Sequence, residues 1–426
     1  MAPSTPHLAF VANDIAMNFT SKIVALSSAM AFALQIALAF LMLRYFSPEE
    51  VGIFSVISQI GFFWATLALA QSPLRLLANQ GVSISDDARH AWDSSVQRYV
   101  WLLPVAALAI WLSGLSFVNA LLWALLLSLC QLTWMLAQSM RLRMPGSWEQ
   151  IGVRVLPPLV ALLFASSAVL VQWSGPALLS AALLGYAVGA AWFFSVFIDS
   201  HQLNKVTNTS TQLEEASLST TVQDSAHSSL PSVSADNRSA SLRMAHSLVD
   251  ALLATAIVVV WQRLYGAQET GWMAAPLRVM GFLPAVVHMA WAQVLLAQPH
   301  HARTNPLWVG FAGFAGVSVL GASCSLALEM GWLGEQWQGV WLYLLPLVLW
   351  QGSACLVAAF SHRPFETKNA RSYSWACIGI TSLQSIVLLA PVVTNMPLIS
   401  SNHLVWFASV SAISYCTLFL WLRKIT

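Results

Sequence analysis

The chain has 426 residues, of which 58% are hydrophobic and only 8% are charged, and its formal net charge is +2. Soluble domains carry about 25% charged residues, so this composition excludes an ordinary water-soluble globule. The mean hydropathy is +0.68, and the chain contains 20 tryptophans. Tryptophan is enriched at membrane–water interfaces. The chain is therefore predicted to be a polytopic membrane protein.

The N-terminal stretch "MAPSTPHLAFVANDIAMNF" lacks the basic start and apolar run of a cleavable signal peptide, so the first true span is expected to direct insertion. All cysteines fall inside apolar runs, and none has CxxC or metal-ligand spacing. They are predicted to be small buried thiols, with no disulfide and no metal site. These residues are Cys130, Cys324, Cys355, Cys377 and Cys416.

Apolar runs long enough to cross a bilayer, about 20 residues each, fall into two groups of six. The first group lies near 21–46, 51–78, 99–117, 118–139, 154–173 and 177–198. The second lies near 247–265, 272–297, 307–328, 339–360, 374–394 and 403–422. The predicted fold is all-α, with about 12 transmembrane helices and eleven as the alternative count.

Residues 199–246 separate the two groups and are rich in Ser and Thr, without an aromatic residue or a helical period. Such a composition buries too little apolar surface to fold by itself, which predicts a disordered linker. The chain is thus divided into an N-terminal lobe (1–198), a linker (199–246) and a C-terminal lobe (247–426). The "NTS" and "NRS" sequons lie in the linker and are expected to stay unglycosylated, because the linker is predicted to be cytoplasmic.

The distribution of Lys and Arg predicts the orientation. With both termini inside, sixteen of the nineteen basic residues fall in cytoplasmic segments or at cytoplasmic span ends, as the positive-inside rule requires. The three exceptions are Arg44, Arg263 and Arg278. The expected location is a bacterial inner membrane, with both termini and the linker in the cytoplasm.

Two short stretches between spans resemble each other. "RYFSPEEVGIF" (44–54) returns without a gap as "RLYGAQETGWM" (263–273) in the second group of spans. Six spans lie between the copies, so both copies are expected on the external side, as parallel repeats that would carry a substrate at the interface between the lobes. The matching residues are Arg44 with Arg263, Glu50 with Glu269, and Gly52 with Gly271.

The first copy also has the pattern of a helix start. Ser47 can cap the helix, Pro48 suits its first position, and Glu50 completes a capping box. In the second copy Gly266 replaces the serine, while Glu269 keeps the third position and is expected to cap as well. Gly52 and Gly271 would allow a neighbouring helix to approach closely.

The stretches "LRYFSPEEVGIFSVISQIGFF", "SLVDALLATAIVVVWQRLYGAQETG" and "YGAQETGWMAAPLRVMGFLP" resemble the polysaccharide flippases, of the O-antigen type, within the multidrug/oligosaccharidyl-lipid/polysaccharide exporter superfamily. The resemblance implies a V-shaped bundle of two six-helix lobes around a central cavity. It further implies transport of undecaprenyl-diphosphate-linked oligosaccharide to the outer leaflet. The internal repeat is not exact, because Gln59 in the first copy takes the position of Arg278 in the second. The linker is also unusually long.

The same resemblance implies partners. These are the lipid-linked oligosaccharide, membrane lipids, and a polysaccharide polymerase with its chain-length machinery. A monomer without cofactor or nucleic acid is expected.

Arg278 is the leading candidate for substrate binding. It lies twelve residues after Gly266, about 18 Å into the span at 1.5 Å per residue, close to the middle of a hydrocarbon core about 30 Å thick. An arginine at that depth costs roughly 2.5–3.5 kcal/mol, so a cavity, an acidic partner or an anionic ligand should offset it. The guanidinium fork matches a phosphate, whereas the alternative is a structural bond to backbone carbonyls.

The remaining candidates have two interpretations each. Arg75 and Arg154, at cytoplasmic span ends, would receive the diphosphate or anchor helices to anionic headgroups. Arg44 and Arg263 would bind substrate or extend to the outer interface. Asp250 would couple ions or serve as a helix-start carboxylate, and His288 would carry a proton or stay neutral and hydrogen-bonded.

Three classes of function are compatible with these patterns. The first is a lipid-linked oligosaccharide flippase, with the diphosphate held by cavity arginines. The second is an exporter of small amphiphilic or cationic molecules, which predicts an acidic cavity. The third, a membrane polysaccharide polymerase, would need a large external loop that the spans do not leave. Glutamines within the spans, such as Gln35, Gln59 and Gln351, are expected to bond helices together or to contact sugars.

Overall fold

A computed structural model describes residues 6–70, 72–78, 83–144, 147–173, 175–214, 237–297, 305–366, 369–394 and 399–424. Over these ranges the chain is helical and contains no strand. The first half holds α1 (Pro6–Tyr45), α2 (Pro48–Leu69), α3 (Ser72–Ala78), α4 (Ile84–Trp101), α5 (Leu103–Ser113), α6 (Phe117–Arg143), α7 (Ser147–Leu170) and α8 (Ala177–Glu214). The second half holds α9 (Asn237–Ala297), α10 (Pro306–Glu329), a 3₁₀ segment (Glu335–Val340), α11 (Trp341–Phe360), α12 (Arg363–Glu366), α13 (Ala370–Thr394) and α14 (Ser400–Lys424).

Within the described residues, ten helices are long and apolar enough to span a membrane. A bent pair, α4 with α5, passes the same test together, with a bend of 46°, and gives an eleventh. The helical stretch 248–288 has 41 residues, about twice the length that a bilayer needs. Gly266 interrupts it with non-helical angles (φ 85°, ψ 179°). Divided there, the stretch supplies two spans, and the total becomes twelve. The protein is thus a multi-pass membrane protein of all-α fold.

The structure corrects two boundaries that were set by hydropathy. The predicted span 99–117 begins much earlier, because the polar segment 84–98 is also helical and leads into α5 through the bend. The linker was predicted without helix from residue 199 to 246, yet α8 continues to Glu214 and α9 starts at Asn237. Hydropathy locates only the apolar part of a helix, and an existing helix can continue into polar sequence because each added residue adds one backbone hydrogen bond. Residues 215–236 lie outside the described part.

The first repeated stretch forms the predicted capping box. The Ser47 Oγ accepts a bond from the Glu50 backbone N–H (3.2 Å), and the Glu50 Oε2 accepts one from the Ser47 backbone N–H (2.9 Å). The second copy behaves differently, so the expected capping role of Glu269 is wrong. Its carboxylate instead accepts hydrogen bonds from Ser400 Oγ at 2.8 Å and from the hydroxyl of Tyr343. Because Gly266 has no side chain, it cannot take part in a reciprocal capping box.

The two halves meet chiefly where α2 packs along α9. Gly52 and Gly271 face each other's helix at backbone distance. A Cβ on Gly52 would stand 2.0 Å from the carbonyl oxygen of Ala267, and one on Gly271 would stand 1.8 Å from that of Pro48. Only glycine permits this approach, as the sequence predicted. We call this end of the bundle, formed by residues 44–52, 263–271 and 331–343, the closed end.

Candidate substrate cavity

A cavity of about 590 Å³ lies between the halves, on the far side of the Gly52–Gly271 crossing from the closed end. Helices α1, α2, α6 and α8 line it from the first half, and α9, α11 and α14 line it from the second. Its walls carry an unusual number of hydrogen-bonding groups for a membrane span. They are Gln35, Ser55, Ser58, Gln59, Gln131, Tyr186, Gln351 and Tyr415, together with one acid, Asp250, and one base, Arg278.

A second, smaller cavity of about 160 Å³ adjoins the first. Its walls are mainly apolar and come from α1, α2, α6, α7, α8 and α9. The two cavities share Gln35, Tyr186, Arg278 and Phe282. Arg278 therefore stands where the two cavities meet, and the larger cavity carries more hydrogen-bonding side chains than the smaller one. The apolar walls include Phe32, Ile36, Met42, Trp134, Pro157 and Ala161.

The Arg278 side chain is exposed because the space that it faces is the cavity. Its Cζ lies 4.6 Å from the centroid of the Phe54 ring on α2, which is within cation–π range. Among the described residues, no carboxylate pairs with it and no acceptor takes a hydrogen bond from it. The predicted structural bond to backbone carbonyls does not form within those residues, so the five N–H donors of the guanidinium are available to a ligand.

Aromatic residues fix the surroundings of Arg278. The rings of Phe32 and Phe282 stack across the two halves, 4.3 Å apart and 8° from parallel. Tyr186 stacks on Trp134 with 5.4 Å between ring centroids, and the Trp134 Nε1 donates to the Val153 carbonyl at 2.7 Å. The guanidinium thus lies among aromatic rings, which leaves its N–H groups without a protein acceptor among the described residues.

Asp250 lines the same large cavity from the first part of α9. Its Oδ1 accepts a hydrogen bond from the Thr381 Oγ1 of α13 at 2.9 Å, and its side chain is exposed. One acid and one base thus face a common space, and both were singled out in the sequence. Neither could have been assigned to a shared cavity before the fold was known.

Arg154 lies near the smaller cavity. On α7 it stands three, four and seven residues before Pro157, Pro158 and Ala161, which line that cavity, so it lies on the same helix face. Its Nη1 is buried without a hydrogen-bond partner among the described residues. Arg75, on the short helix α3, is exposed and is not part of the cavity walls.

The other predicted site residues lie elsewhere. Arg44 and Arg263 belong to the closed end and do not line the cavities, and His288 shares a hydrogen bond with the Ser361 Oγ at 2.8 Å outside their walls. The structure therefore does not bring these three residues together with Arg278. Their roles in binding and coupling stay predictions.

Sequence reasoning missed Phe54, Tyr186 and Tyr415. Phe54 belongs to the first repeat and looked like one more apolar residue of α2. Tyr186 carried a signal that could have been used, because it is a hydroxyl-bearing residue within a span and stands next to Gly185, with Gly189 one turn further on. Those glycines admit Pro157 and Trp134 at close range.

No protein-family model and no curated protein sequence matches the chain. A solved structure does resemble it, the inward-facing conformation of a multidrug resistance MATE family transporter of the MOP superfamily. The TM-score is 0.53 at 13% sequence identity, and the alignment covers 94% of this chain and 97% of that chain. The chain thus has the fold of that transporter over nearly its full length.

Proposed function

We propose that this protein is a transporter that moves an amphipathic anion across the membrane by alternating access, and that its cargo is a lipid-linked oligosaccharide. One observation carries the proposal. Arg278, without a hydrogen-bonding partner among the described residues, stands where a larger cavity with many hydrogen-bonding side chains meets a smaller cavity with few. A polyprenyl-diphosphate-linked glycan has the same order of parts, with an anionic linkage between an apolar chain and a hydroxyl-rich one.

Each part of this ligand finds matching chemistry. The guanidinium edge of Arg278 donates to phosphate oxygens in a fork geometry. The amides of Gln35, Gln59 and Gln351 can donate to and accept from sugar hydroxyls. The first isoprenoid units fit the apolar walls of the smaller cavity. Arg154, with its unpartnered Nη1, is the second cation that a diphosphate would engage on the way in.

Transport requires that the cargo bind two conformations with different affinity. The present conformation is closed where α2 crosses α9, and the related transporter is described as inward-facing. With the predicted orientation, cargo would enter from the cytoplasmic side and leave after the closed end opens. Asp250 is the group that we assign to ion coupling.

A second function is favoured by Asp250. A carboxylate in the cavity wall suits an exporter of small amphiphilic cations, and the similar structure is a multidrug resistance transporter. One base and one acid face the same cavity. We favour the anion because Thr381 already hydrogen-bonds Asp250, whereas no described residue accepts a hydrogen bond from Arg278.

The test replaces Arg278 in cells that depend on this protein. Arg278→Ala should abolish surface polysaccharide and cause lipid-linked sugar to accumulate on the inner leaflet, with the amount of inserted protein unchanged. Arg371→Ala, at an exposed arginine of α13, is the matched control. Normal surface polysaccharide in Arg278→Ala would refute the proposal. Altered drug sensitivity with unchanged glycolipids would establish the exporter instead.

A further inference from the structure

The turn between α1 and α2 is held by the other half of the molecule. The Arg44 guanidinium donates to the backbone carbonyls of Gly331 (3.4 Å) and Trp332. The Phe46 carbonyl accepts two further bonds, from the Trp337 Nε1 at 3.1 Å and from the Gln336 Nε2 at 3.2 Å. All four bonds join the first half to the segment that follows α10. Arg44 therefore extends to protein and not to lipid headgroups.

The internal repeat places a second arginine in the corresponding position. Arg263, the counterpart of Arg44 in the second copy, lies against Gly114 in the turn between α5 and α6. Its Nη1 is 3.1 Å from the point where a Cβ would stand on that glycine. Gly114 and Gly331 end the helices α5 and α10 of their respective halves, and both have left-handed backbones, with φ of 76° and 67°. Each arginine thus meets the equivalent glycine turn of the opposite half.

We infer that Arg44 and Arg263 form a two-fold-related latch that keeps the closed end shut, and that both contacts break when the halves move to the opposite conformation. This inference rests on the alternating-access part of the proposed function, but not on the cargo. It also gives a reason for the repeated spacing of Arg and Gly: the glycines bring α2 and α9 together, and the arginines fasten the turns on either side.

The contacts have the strength that a reversible latch needs. Both arginine side chains are exposed, so water can replace the carbonyls that Arg44 binds and the packing of Arg263 on Gly114 when the contacts break, and the net free energy of an exposed hydrogen bond is small. A closure made only of buried apolar surface would resist opening far more. Between the two arginines, α2 and α9 touch through the backbones of Gly52 and Gly271. No side chains interlock at these two glycines, so the helices can separate there.

The test measures opening of the closed end directly and needs no cargo. Ser55 lines the large cavity about one turn beyond Gly52 and is 7% exposed. Ser55→Cys is labelled with a membrane-impermeant maleimide in right-side-out and in inverted vesicles. The labelling rate of the same protein with Ser55 intact is subtracted, which removes the contribution of the native cysteines. Labelling from the closed-end face reports how often that end opens.

Arg44→Ala should raise the labelling rate from the closed-end face by roughly fivefold, the factor expected when one exposed charge-assisted bond is lost from a two-state equilibrium. Arg263→Ala, which removes the contact with the Gly114 turn, should raise the same rate as well. The rate from the opposite face should not rise. Arg371→Ala should leave both rates unchanged. Unchanged rates in both latch variants would overturn the inference.

Two conservative variants keep the result interpretable if an alanine variant inserts poorly. Arg44→Gln and Arg263→Gln each retain a shorter donor, and each should have a labelling rate between that of the wild type and that of its alanine variant. Wild-type labelling rates in both would also count against the latch. Should Arg278→Ala leave glycolipids normal while the latch variants open the closed end, the cargo is wrong and the latch stands.

Discussion

Arg278 shows how a single residue in a membrane span can indicate function. Its depth, counted from Gly266, predicted that some group must offset the charge, and the structure shows a cavity at that place with no described carboxylate to pair with it. The sequence could not predict the contact between Arg278 and Phe54, because Phe54 lies on a helix of the opposite half. The cation–π contact depends on how the halves meet, and that packing leaves no periodic signal.

At this residue the geometry of the donor should matter as much as its charge. Arg278→Lys keeps the positive charge but loses the planar fork and the stacking on Phe54. We expect binding of a lipid diphosphate to fall by roughly ten- to a hundredfold, from about 1.5–3 kcal/mol of lost charge-assisted hydrogen bonding. Binding of the purified protein to a fluorescent polyprenyl diphosphate measures this. Wild-type affinity in Arg278→Lys would mean that the arginine acts only as a point charge.

Asp250 can be tested separately from Arg278. Asp250→Asn keeps the oxygen that accepts the Thr381 hydroxyl and removes the negative charge. If Asp250 couples transport to an ion, this variant should bind the lipid diphosphate normally and lose transport in reconstituted vesicles. Thr381→Val, which removes the donor and keeps the acid, should retain most of the transport. Normal ion-driven transport in Asp250→Asn would exclude the coupling role.

The helices were predicted better than their ends. Apolar runs located the spans of both groups, because burial in lipid requires an unbroken run whatever the tertiary packing. The polar first part of the α4–α5 pair was missed, since Asp86, Asp87 and Asp93 interrupt the run. Asp87 forms an ion pair with Arg143 of α6 at 2.9 Å. That partner offsets the polarity of α4 and could not be assigned from local sequence.

The crossing of α2 and α9 gives a prediction for whole elements. Gly271→Ala would place a methyl carbon 1.8 Å from the Pro48 carbonyl oxygen, so the two helices must separate. We expect the closed end to open and the unfolding temperature in detergent to fall. Gly379→Ala is the control, because nothing lies within 4 Å of its Cβ and alanine favours a helix over glycine by about 1 kcal/mol. Equal unfolding temperatures in both variants would show that the crossing is not tight.

At the scale of the molecule, two short stretches of sequence predicted the internal repeat. They did not predict which contacts the repeated residues make. The repeat spacing predicted that Arg44 and Arg263 lie at the same end of the bundle. It did not reveal that each contacts a glycine turn of the other half, because Gly114 and Gly331 sit in turns with no shared motif. Glu50 and Glu269 show the limit of such reasoning, since equivalent positions acquired different partners. Pseudo-symmetric sequence therefore predicts placement more reliably than contacts.

The proposed alternating access predicts that fastening the closed end stops transport without removing the cavity. Arg44→Cys and Trp332→Cys can be joined by a bifunctional thiol reagent with a cleavable spacer, since the Arg44 side chain spans this gap. The linked protein should lose transport and still bind the lipid diphosphate, because Arg278 lies beyond the crossing. Reductive cleavage of the spacer should restore transport, and each single-cysteine variant treated in the same way should keep it. Undiminished transport by the linked protein would mean that cargo passes by a route that does not open the closed end.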